Sequence, residues 1–438
     1  MITRDILLDN FSFIDTNTST SVNKETLSDL IDRWKYLLVS RGAKRGDSLG
    51  IAFVMVDADH LALLFAAAEL GMCLLVLDKP VVEESIDRTR AAIFAPIDFL
   101  VIDMYVRKWP HYVKMVELYC NNIINVEEIT TVTEKFTEFW GRPEDNYIGG
   151  SSSGTTGRPV PAYYTQEQSL LHAERCVRIF QYERDSVVCH TRNMHHVSSM
   201  LIGILPSLMS IEKHYFYNIY SDFDGFAEFI RDNNIDRAFI GSEWVIEGFV
   251  RAAMERGVRF NKTLLGSISG FTIPEEYVEY CRILNMELMS HLGAVGVAIS
   301  PIVNHVTKDS VYKPNWLGKT TDDYYKIDVR DNIAYISSPE TNYEQEIILQ
   351  DYVSVVDGEW FHHGRLGDVP MVESEIKRLF GVDCNAYEDY LIIWNSDPID
   401  IPEEFSDWKV FYLDKETWTT ETKVNVYQLL GYLEKISN

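Results

Sequence analysis

The sequence predicts an α/β protein: a large N-terminal domain of two α/β subdomains plus a small β-barrel-like subdomain, followed by a small, mobile α+β C-terminal domain. Three observations predict it. Up to about residue 300, apolar runs of strand length alternate with amphipathic helical stretches over short connections, the pattern of a parallel sheet covered on both faces. Residues 310–365 instead alternate Tyr, Ile and Val around Asp-Asn and Asp-Gly turns, as antiparallel strands do. The last 72 residues, Gly367 to Asn438, carry 15 acidic against 6 basic side chains, a shift in composition that marks a separate unit. The expected domains are therefore 1–366 and 367–438, in keeping with a chain of 438 residues when single cores stop growing near ~250–300.

The elements follow in order. Asn23 is placed to cap a helix whose apolar residues Leu27, Leu30, Ile31, Trp34, Leu37 and Leu38 share one face, and Gly42 to stop it. After the turn Lys44–Asp47 comes an apolar strand, Leu49 to Met55. A second helix, about Asp59 to Leu70, leads to the strand Met72–Leu77, and a third, about Glu83 to Ile93, to Phe99–Ile102. Residues 104–145 give no clear signal. Tyr147-Ile148 runs into the loop Gly149 to Pro161; past the short strand Ala162–Tyr164, Thr165 and Gln168 form a capping-box pair for the next helix.

Composition excludes several classes. Hydrophobic residues at 46% and charged residues at 24% fit neither disorder nor a fibrous fold. Lys plus Arg total 40 against 66 Asp plus Glu, and the resulting charge of -26 argues against a large phosphate-tracking nucleic-acid surface. The six cysteines are dispersed, with no CxxC pair and no zinc spacing, as buried thiols in a reducing compartment would be. The N-terminus has no signal-peptide core, and the most apolar stretch, Leu61 to Leu77, contains Glu69 and Gly71 and is too short for a bilayer. The expectation is a cytoplasmic protein with no membrane partner.

Chemistry concentrates in Ser151-Ser152-Ser153-Gly154-Thr155-Thr156-Gly157-Arg158-Pro159. Glycines let the backbone come close to a ligand and turn its N–H groups inward, and hydroxyls add neutral donors, a combination suited to triphosphate oxygens. It is not a Walker A loop, because Arg158-Pro159 stands where Lys-Ser/Thr is required. Gly150, Ser152 and Gly154 also match the G-x-S-x-G elbow of serine hydrolases, but that elbow opens directly into a helix and Pro159 and Pro161 oppose one here.

The chain resembles the adenylate-forming superfamily of acyl-CoA synthetases, non-ribosomal peptide adenylation domains and luciferases. Ser152 to Pro159 follows that family's phosphate loop. In order along the chain, Gly42–Asp47 is similar to its GD turn, His196-Val197 to its substrate-side H-x-x-G segment, and Ser269-Gly270-Phe271-Thr272 to the strand end against adenine. Asp351, then Asp357-Gly358, then Gly364-Arg365-Leu366-Gly367-Asp368 resembles the ribose-binding Asp, hairpin and GRxxD run, and Thr419–Val424 resembles the terminal loop that carries the catalytic lysine, here Lys423. The resemblance implies ATP and Mg²⁺ as cofactors. It implies nucleotide contacts from Ser152, Ser153, Gly154, Thr155, Thr156, Gly157, Gly270, Phe271, Asp351 and Arg365, and catalytic roles for Lys423, Arg365 and His196. The implied reaction activates a small carboxylic acid as an acyl-adenylate, releases pyrophosphate, and passes the acyl group to CoA, a carrier protein or an amine.

Three positions depart from the family pattern. Val160 stands where the loop lysine is expected. Leu292-Gly293-Ala294-Val295-Gly296 replaces YGxTE, so Gly296 takes the place of the metal-binding Glu. Gly367 occupies the hinge position. The metal ligands are therefore unassigned, with Glu243 and Glu247 as candidates, and the alternative reading is a catalytically impaired homologue that binds a nucleotide or acyl-adenylate. No Asp lies between Asn193 and Ser199, which favours an acid without an α-amino group; the neighbouring His195 can contact its carboxylate.

Overall fold

The computed structural model describes the chain outside residues 17–19, 53–56, 78–96, 104–112, 114–118, 152–160, 192–196, 198, 218, 220–221, 242, 270–271, 295–297, 322–325, 331, 338–346, 366–383, 388–389, 394–408 and 413–438. The helix expected over 83–93 lies outside the described residues, as does the expected boundary at 366/367. Strands in chain order are β1 (Ser12–Asp15), β2 (Thr20–Asn23), β3 (Ser48–Ala52), β4 (Cys73–Val76), β5 (Ile97–Ile102), β6 (Cys120–Asn125), β7 (Asn146–Ser151), β8 (Pro161–Thr165), β9 (Val187–His190), β10 (Lys213–Phe216), β11 (Arg237–Gly241), β12 (Leu264–Ser269), β13 (Met286–Ala294), β14 (Ala298–Val306) and β15 (Trp316–Thr320). Then come β16 (Lys326–Arg330), β17 (Ile333–Ser337), β18 (Ile347–Val356), β19 (Glu359–Arg365), β20 (Cys384–Tyr387), β21 (Tyr390–Ile393) and β22 (Lys409–Tyr412). The α-helices are α1 (Lys24–Ser40), α2 (Ala58–Leu70), α3 (Gln166–Ile179), α4 (Leu205–Ser210), α5 (Phe223–Asp232), α6 (Glu243–Glu255) and α7 (Glu276–Leu284).

Two units separate by their contacts: Met1–Ile327 with Ile336–Ile347 and Val356–Trp360, and Asp328–Tyr335 with Ile348–Val355 and Phe361–Asn438. The first holds a sheet of order β6-β5-β3-β4-β7-β8, parallel except for the antiparallel β7–β8 pair. It also holds the run β15-β14-β13-β12-β11-β9-β10-β1-β2, in which β13 through β1 are parallel and the flanks are antiparallel. This is the α/β architecture that the alternation predicts. In the second unit, β20–β22 form a three-stranded sheet.

Local chemistry sets the helix ends. Asn23 Oδ1 accepts from Thr26 N at 2.9 Å, and Gly42, at φ 93°, adopts the left-handed conformation that ends α1 cheaply. At α3, Thr165 Oγ1 accepts from Gln168 N while Gln168 Oε1 accepts from Thr165 N, a complete capping box. The featureless stretch 104–145 does contain structure: β6, and a one-sided 3₁₀ turn over Val126–Thr131 boxed by Asn125 and Glu128. The apolar stretch from Leu61 resolves, as expected, into a helix and then a strand. From His60 to Leu70 every residue of α2 is buried, the mark of a helix enclosed by protein on all sides. No described helix is long and apolar enough to cross a membrane.

Within its buried stretch, His60–Leu70, that helix carries one carboxylate, Glu69, at 0% exposure. Arg4 Nη2 donates to its Oε2 at 2.6 Å and Lys35 Nζ to the same oxygen at 2.8 Å; Arg4 also reaches Asp32 at 2.6 Å. Burial by itself would push the Glu69 carboxyl up, but Arg4 and Lys35 hold it below its ordinary range. The Lys35 ammonium sits 4.4 Å from the Phe139 ring centroid, a cation–π contact. Cys73, Cys120, Cys176, Cys189 and Cys281 are free thiols, all but Cys73 buried, and burial pushes the Cys73 and Cys281 thiols up to about 12.

Two further buried groups oppose each other in their pH response. His190 and His214, on neighbouring β9 and β10, stack 5.6 Å apart. His214 Nε2–H donates to Ile211 O at 2.9 Å, so its Nδ1 accepts from His190 Nε2 at 3.3 Å and both rings are neutral. Burial holds His214 down to about 4, against the pull of the Ile211 carbonyl. Asp57, the N-cap of α2, is pushed up to about 7 by burial and by Asp59, with smaller contributions from Asp15 and Asp103.

Two outcomes are expected. Glu69→Ala removes the nearest anion of the fully buried Lys35, 2.8 Å away, and should cost about 3–5 kcal/mol in urea unfolding, whereas Glu247→Ala, which removes an exposed α6 pair, should leave unfolding nearly unchanged. Stability from His214, depressed from 6.5, is present above that value and lost as pH falls towards 4. Stability from Asp57, raised from 3.8, is present below that value and lost as pH rises towards 7. Asp57→Asn keeps the cap and removes only the second slope. Unfolding measured from pH 4 to 7 should show it more stable than wild type at pH 7, by on the order of 1–4 kcal/mol given partial screening at a partly buried residue, and more steeply acid-sensitive.

Candidate functional site

The loop predicted to bind phosphates, Ser152–Gly157, lies outside the described residues, but both of its stems are described. β7 and β8 pair antiparallel, with Gly149 opposite Tyr163, Gly150 opposite Ala162 and Ser151 opposite Pro161. The connection 152–160 therefore leaves and returns on the same rung of a two-stranded ribbon. A nucleophile elbow runs from strand into helix; here the strand returns as a strand, and α3 begins only after Thr165. That removes the hydrolase reading of Gly150-x-Ser152-x-Gly154.

Close packing at the stem accounts for two of its glycines. A Cβ on Gly149 would lie 2.8 Å from Leu75 Cδ2 and from the Tyr163 ring, and one on Gly150 would overlap Val197 Cγ2. Val197, itself buried, directly follows His196. So the stem of the predicted phosphate loop touches the segment that carries the predicted substrate-side histidine, although His196 and His195 themselves lie outside the described residues.

Strand direction gathers the remaining segments. β9, β11, β12 and β13 are parallel neighbours, so the residues that follow them leave at one end of the sheet. Behind β9 comes 192–196 with His196; behind β12, Gly270 and Phe271; behind β13, Val295 and Gly296 in the connection to antiparallel β14. Ligands of open α/β sheets bind outside this carboxyl edge. The chain after Val197 forms a buried π-helical stretch, Ser199–Ile204, before α4; such turns are rare and are frequent at functional sites. Gly203 lies against the Phe239 ring, Thr191 Oγ1 donates to Phe239 O at 2.6 Å, and His291 stands edge-on to Phe180 at 5.9 Å. The buried Ser199 hydroxyl has no hydrogen-bond partner among the described residues.

Of the candidate metal ligands, Glu243 is the first residue of α6, and Glu247 pairs with Arg251 at 2.8 Å on its exposed face. Among the described residues no group of three or more His, Cys, Asp or Glu could hold a metal ion.

In the second unit, Asp351 lies on β18 and Arg365 is the last residue of β19. Between the strands, Asp357 and Gly358 have φ of 52° and 76°, the pair of positive values that a type I′ hairpin requires. Asp351 is largely buried, with 14% of its side chain exposed, and His362 Nε2 lies 3.1 Å from its Oδ1. His363 faces the other way and meets Ser354 Oγ at 2.7 Å. Lys423 and Gly367 lie outside the described residues. Sequence reading missed His362, yet a signal existed: a two-residue turn at 357–358 opposes 353 to 362, one diagonal step from 351. The π-helical stretch and the Val197 contact had no comparable signal.

No protein-family profile matches the chain, and no curated protein does. Solved structures do. ATP-bound MatB from Rhodopseudomonas palustris superposes with a TM-score of 0.75 at 14% identity, over 100% of both chains. O-succinylbenzoate Coenzyme A synthetase (MenE) from Bacillus subtilis, in complex with ATP and magnesium ion, gives 0.73 at 15% identity over 92% of each. A fatty acyl CoA synthetase from Mycobacterium tuberculosis gives 0.74 at 12% identity, over 92% of this chain and 91% of that one. The chain has the fold of these adenylate-forming enzymes.

The stem contact yields a packing test. Gly150→Ala forces its methyl onto Val197 and should destabilise by about 1–3 kcal/mol, read as a lower melting temperature. Val197→Ala in the same chain removes the overlapping methyl, and the double variant should melt above Gly150→Ala alone.

Proposed function

We propose that the protein is an AMP-forming carboxylate ligase: it joins a small carboxylic acid to the α-phosphate of ATP and then passes the acyl group on. The observation that carries this reading is the run Ser152–Pro159, a phosphate-binding sequence, held between antiparallel β7 and β8 in a chain with the fold of the ATP-bound ligases above.

In the first half-reaction a carboxylate oxygen attacks the α-phosphorus, the bond from that phosphorus to the bridging oxygen of pyrophosphate breaks, and an acyl-adenylate forms. Backbone N–H groups and hydroxyls of Ser152, Ser153, Gly154, Thr155, Thr156 and Gly157 hold the β- and γ-phosphates. Gly270 and Phe271 lie along the adenine, Asp351 accepts the ribose hydroxyls, and Arg365 offsets charge beside the nucleotide. Lys423 neutralises charge growing on the α-phosphate, and His196 orients the acid. Bound Mg²⁺ would screen the phosphates. With Gly296 offering no carboxylate, the ion would be held mainly by phosphate oxygens and water, as it readily is. In the second half-reaction a thiol attacks the acyl carbon and AMP leaves. CoA is the acceptor best supported, because the structural relatives are named as CoA synthetases; a carrier protein or an amine would enter the same chemistry. Domain 367–438 rotates between the half-reactions about Gly367, and Glu243 is an acidic candidate to assist the metal.

Lys423→Ala tests the reading. Carboxylate-dependent pyrophosphate exchange, screened over aliphatic and aromatic acids, should fall about a hundredfold or more while AMP binding and folding persist. A wild type that binds AMP but exchanges with no acid would instead be a nucleotide-binding homologue without the ligase activity.

A further inference from the structure

Asp351 is held by a partner that the ligase reading does not supply. Its carboxylate has one hydrogen-bonding partner among the described residues, His362, at Oδ1 and 3.1 Å; Oδ2 has none. An ionised carboxylate only accepts, so the His362 ring donates through Nε2–H. The two side chains are diagonal neighbours across the β18–β19 hairpin, whose register the Asp357-Gly358 turn fixes. The imidazole is 31% exposed and the carboxylate 14%.

We infer that His362 is a positioning residue for nucleotide binding: it fixes the plane of the Asp351 carboxylate and leaves Oδ2 and the outer lone pair of Oδ1 for the vicinal hydroxyls of a ribose. This rests on the ribose role proposed for Asp351. The physical reason is pre-organisation. The terminal torsion of Asp is broad and nearly two-fold, so an unrestrained carboxylate loses that freedom when a diol binds. A carboxylate already clamped at one oxygen does not, and a rigid acceptor gains affinity by that difference. The bond also meets the hydrogen-bonding demand of a carboxylate that is mostly withdrawn from water.

The test is calorimetric binding of AMP and of 2′,3′-dideoxy-AMP to the full chain. His362→Ala should weaken AMP by ~tenfold, the order expected for a hydrogen bond to a charged acceptor, and change dideoxy-AMP by less than ~twofold, since without the diol the carboxylate's orientation has no consequence. His362→Gln, whose amide N–H can reach the same oxygen, should recover most of the loss. Over an Asp351→Asn background, His362→Ala should add nothing. If His362→Ala weakens both nucleotides equally, the residue acts only on the fold and the inference is wrong. If Asp351→Asn weakens AMP while His362→Ala does not, the inference again fails but the ligase reading stands. If Asp351→Asn binds AMP like wild type, the ribose assignment falls and takes the inference with it.

Discussion

The buried carboxylate of Glu69 is the constraint on which the surroundings of the β7–β8 connection depend. It lies near the end of a helix with no solvent-facing side, so it must be neutralised from within, and its partners come from far apart in sequence: Arg4 and Lys35. Once the end of α2 is fixed, its carbonyls organise the rest. Glu69 O accepts from Trp140 and Gly141 N, and Ala68 O accepts from Gln166 Nε2, while Gln166 Oε1 accepts from Ile2 N. Gln166 opens α3, immediately behind β8. One ion cluster thereby fixes the first residues, α1, the extended segment before β7, and the helix directly after β8. Replacing such a cluster with apolar residues could leave stability unharmed. What the charges add is a geometry that tolerates few alternatives, since Arg4 and Lys35 converge from distant positions on one fully buried anion.

At the other sheet the ordering principle is direction rather than charge. Parallel strands deliver every following loop to the same edge, so the described ends of β9, β12 and β13, spread over a hundred residues, lead out on one side. The π-helical stretch after Val197 belongs to the same economy. One wide turn places small and apolar residues, Ser199 and Gly203 among them, against the strand that ends in Gly241.

How far the sequence could be read follows from the range of the forces involved. Features decided within four residues were legible: the Asn23 cap, the Thr165–Gln168 box and the Asp357-Gly358 turn. Strand and helix alternation was legible because period and apolarity are local. The pairing of β1 with β10, about two hundred residues apart, was not, nor was the neutral His190–His214 stack that sits beside it, because nothing near either residue names its partner. The proposed site was legible as motif but not as geometry. Ser152–Gly157, Asp351 and Arg365 stood out by order along the chain, whereas His362 required register and the Gly150–Val197 contact required the fold. At 12–15% identity to its structural relatives, what the chain shares with them is the fold.

Net charge gives the last step. At -26 the protein repels an anion such as ATP at long range, yet at physiological salt the screening length is about 8 Å, so only the charges and dipoles that line the site decide whether a nucleotide stays. On the proposed reading, with Val160 and Gly296 in place of a cation and a metal carboxylate, the donors that Ser152–Gly157 offer are neutral, backbone N–H groups and hydroxyls, and Arg158 is the one cation of that run. Neutral donors hold phosphate through number and fixed orientation rather than through Coulomb attraction. That shifts the burden from the ligand's charge to its shape, and a ribose diol is the part of the nucleotide whose shape a protein can read without any charge on the ligand. On the proposed reading, a carboxylate clamped in advance at Asp351 is therefore where this chain should have concentrated its discrimination, and the pairing with His362 is the structural means it has for doing so.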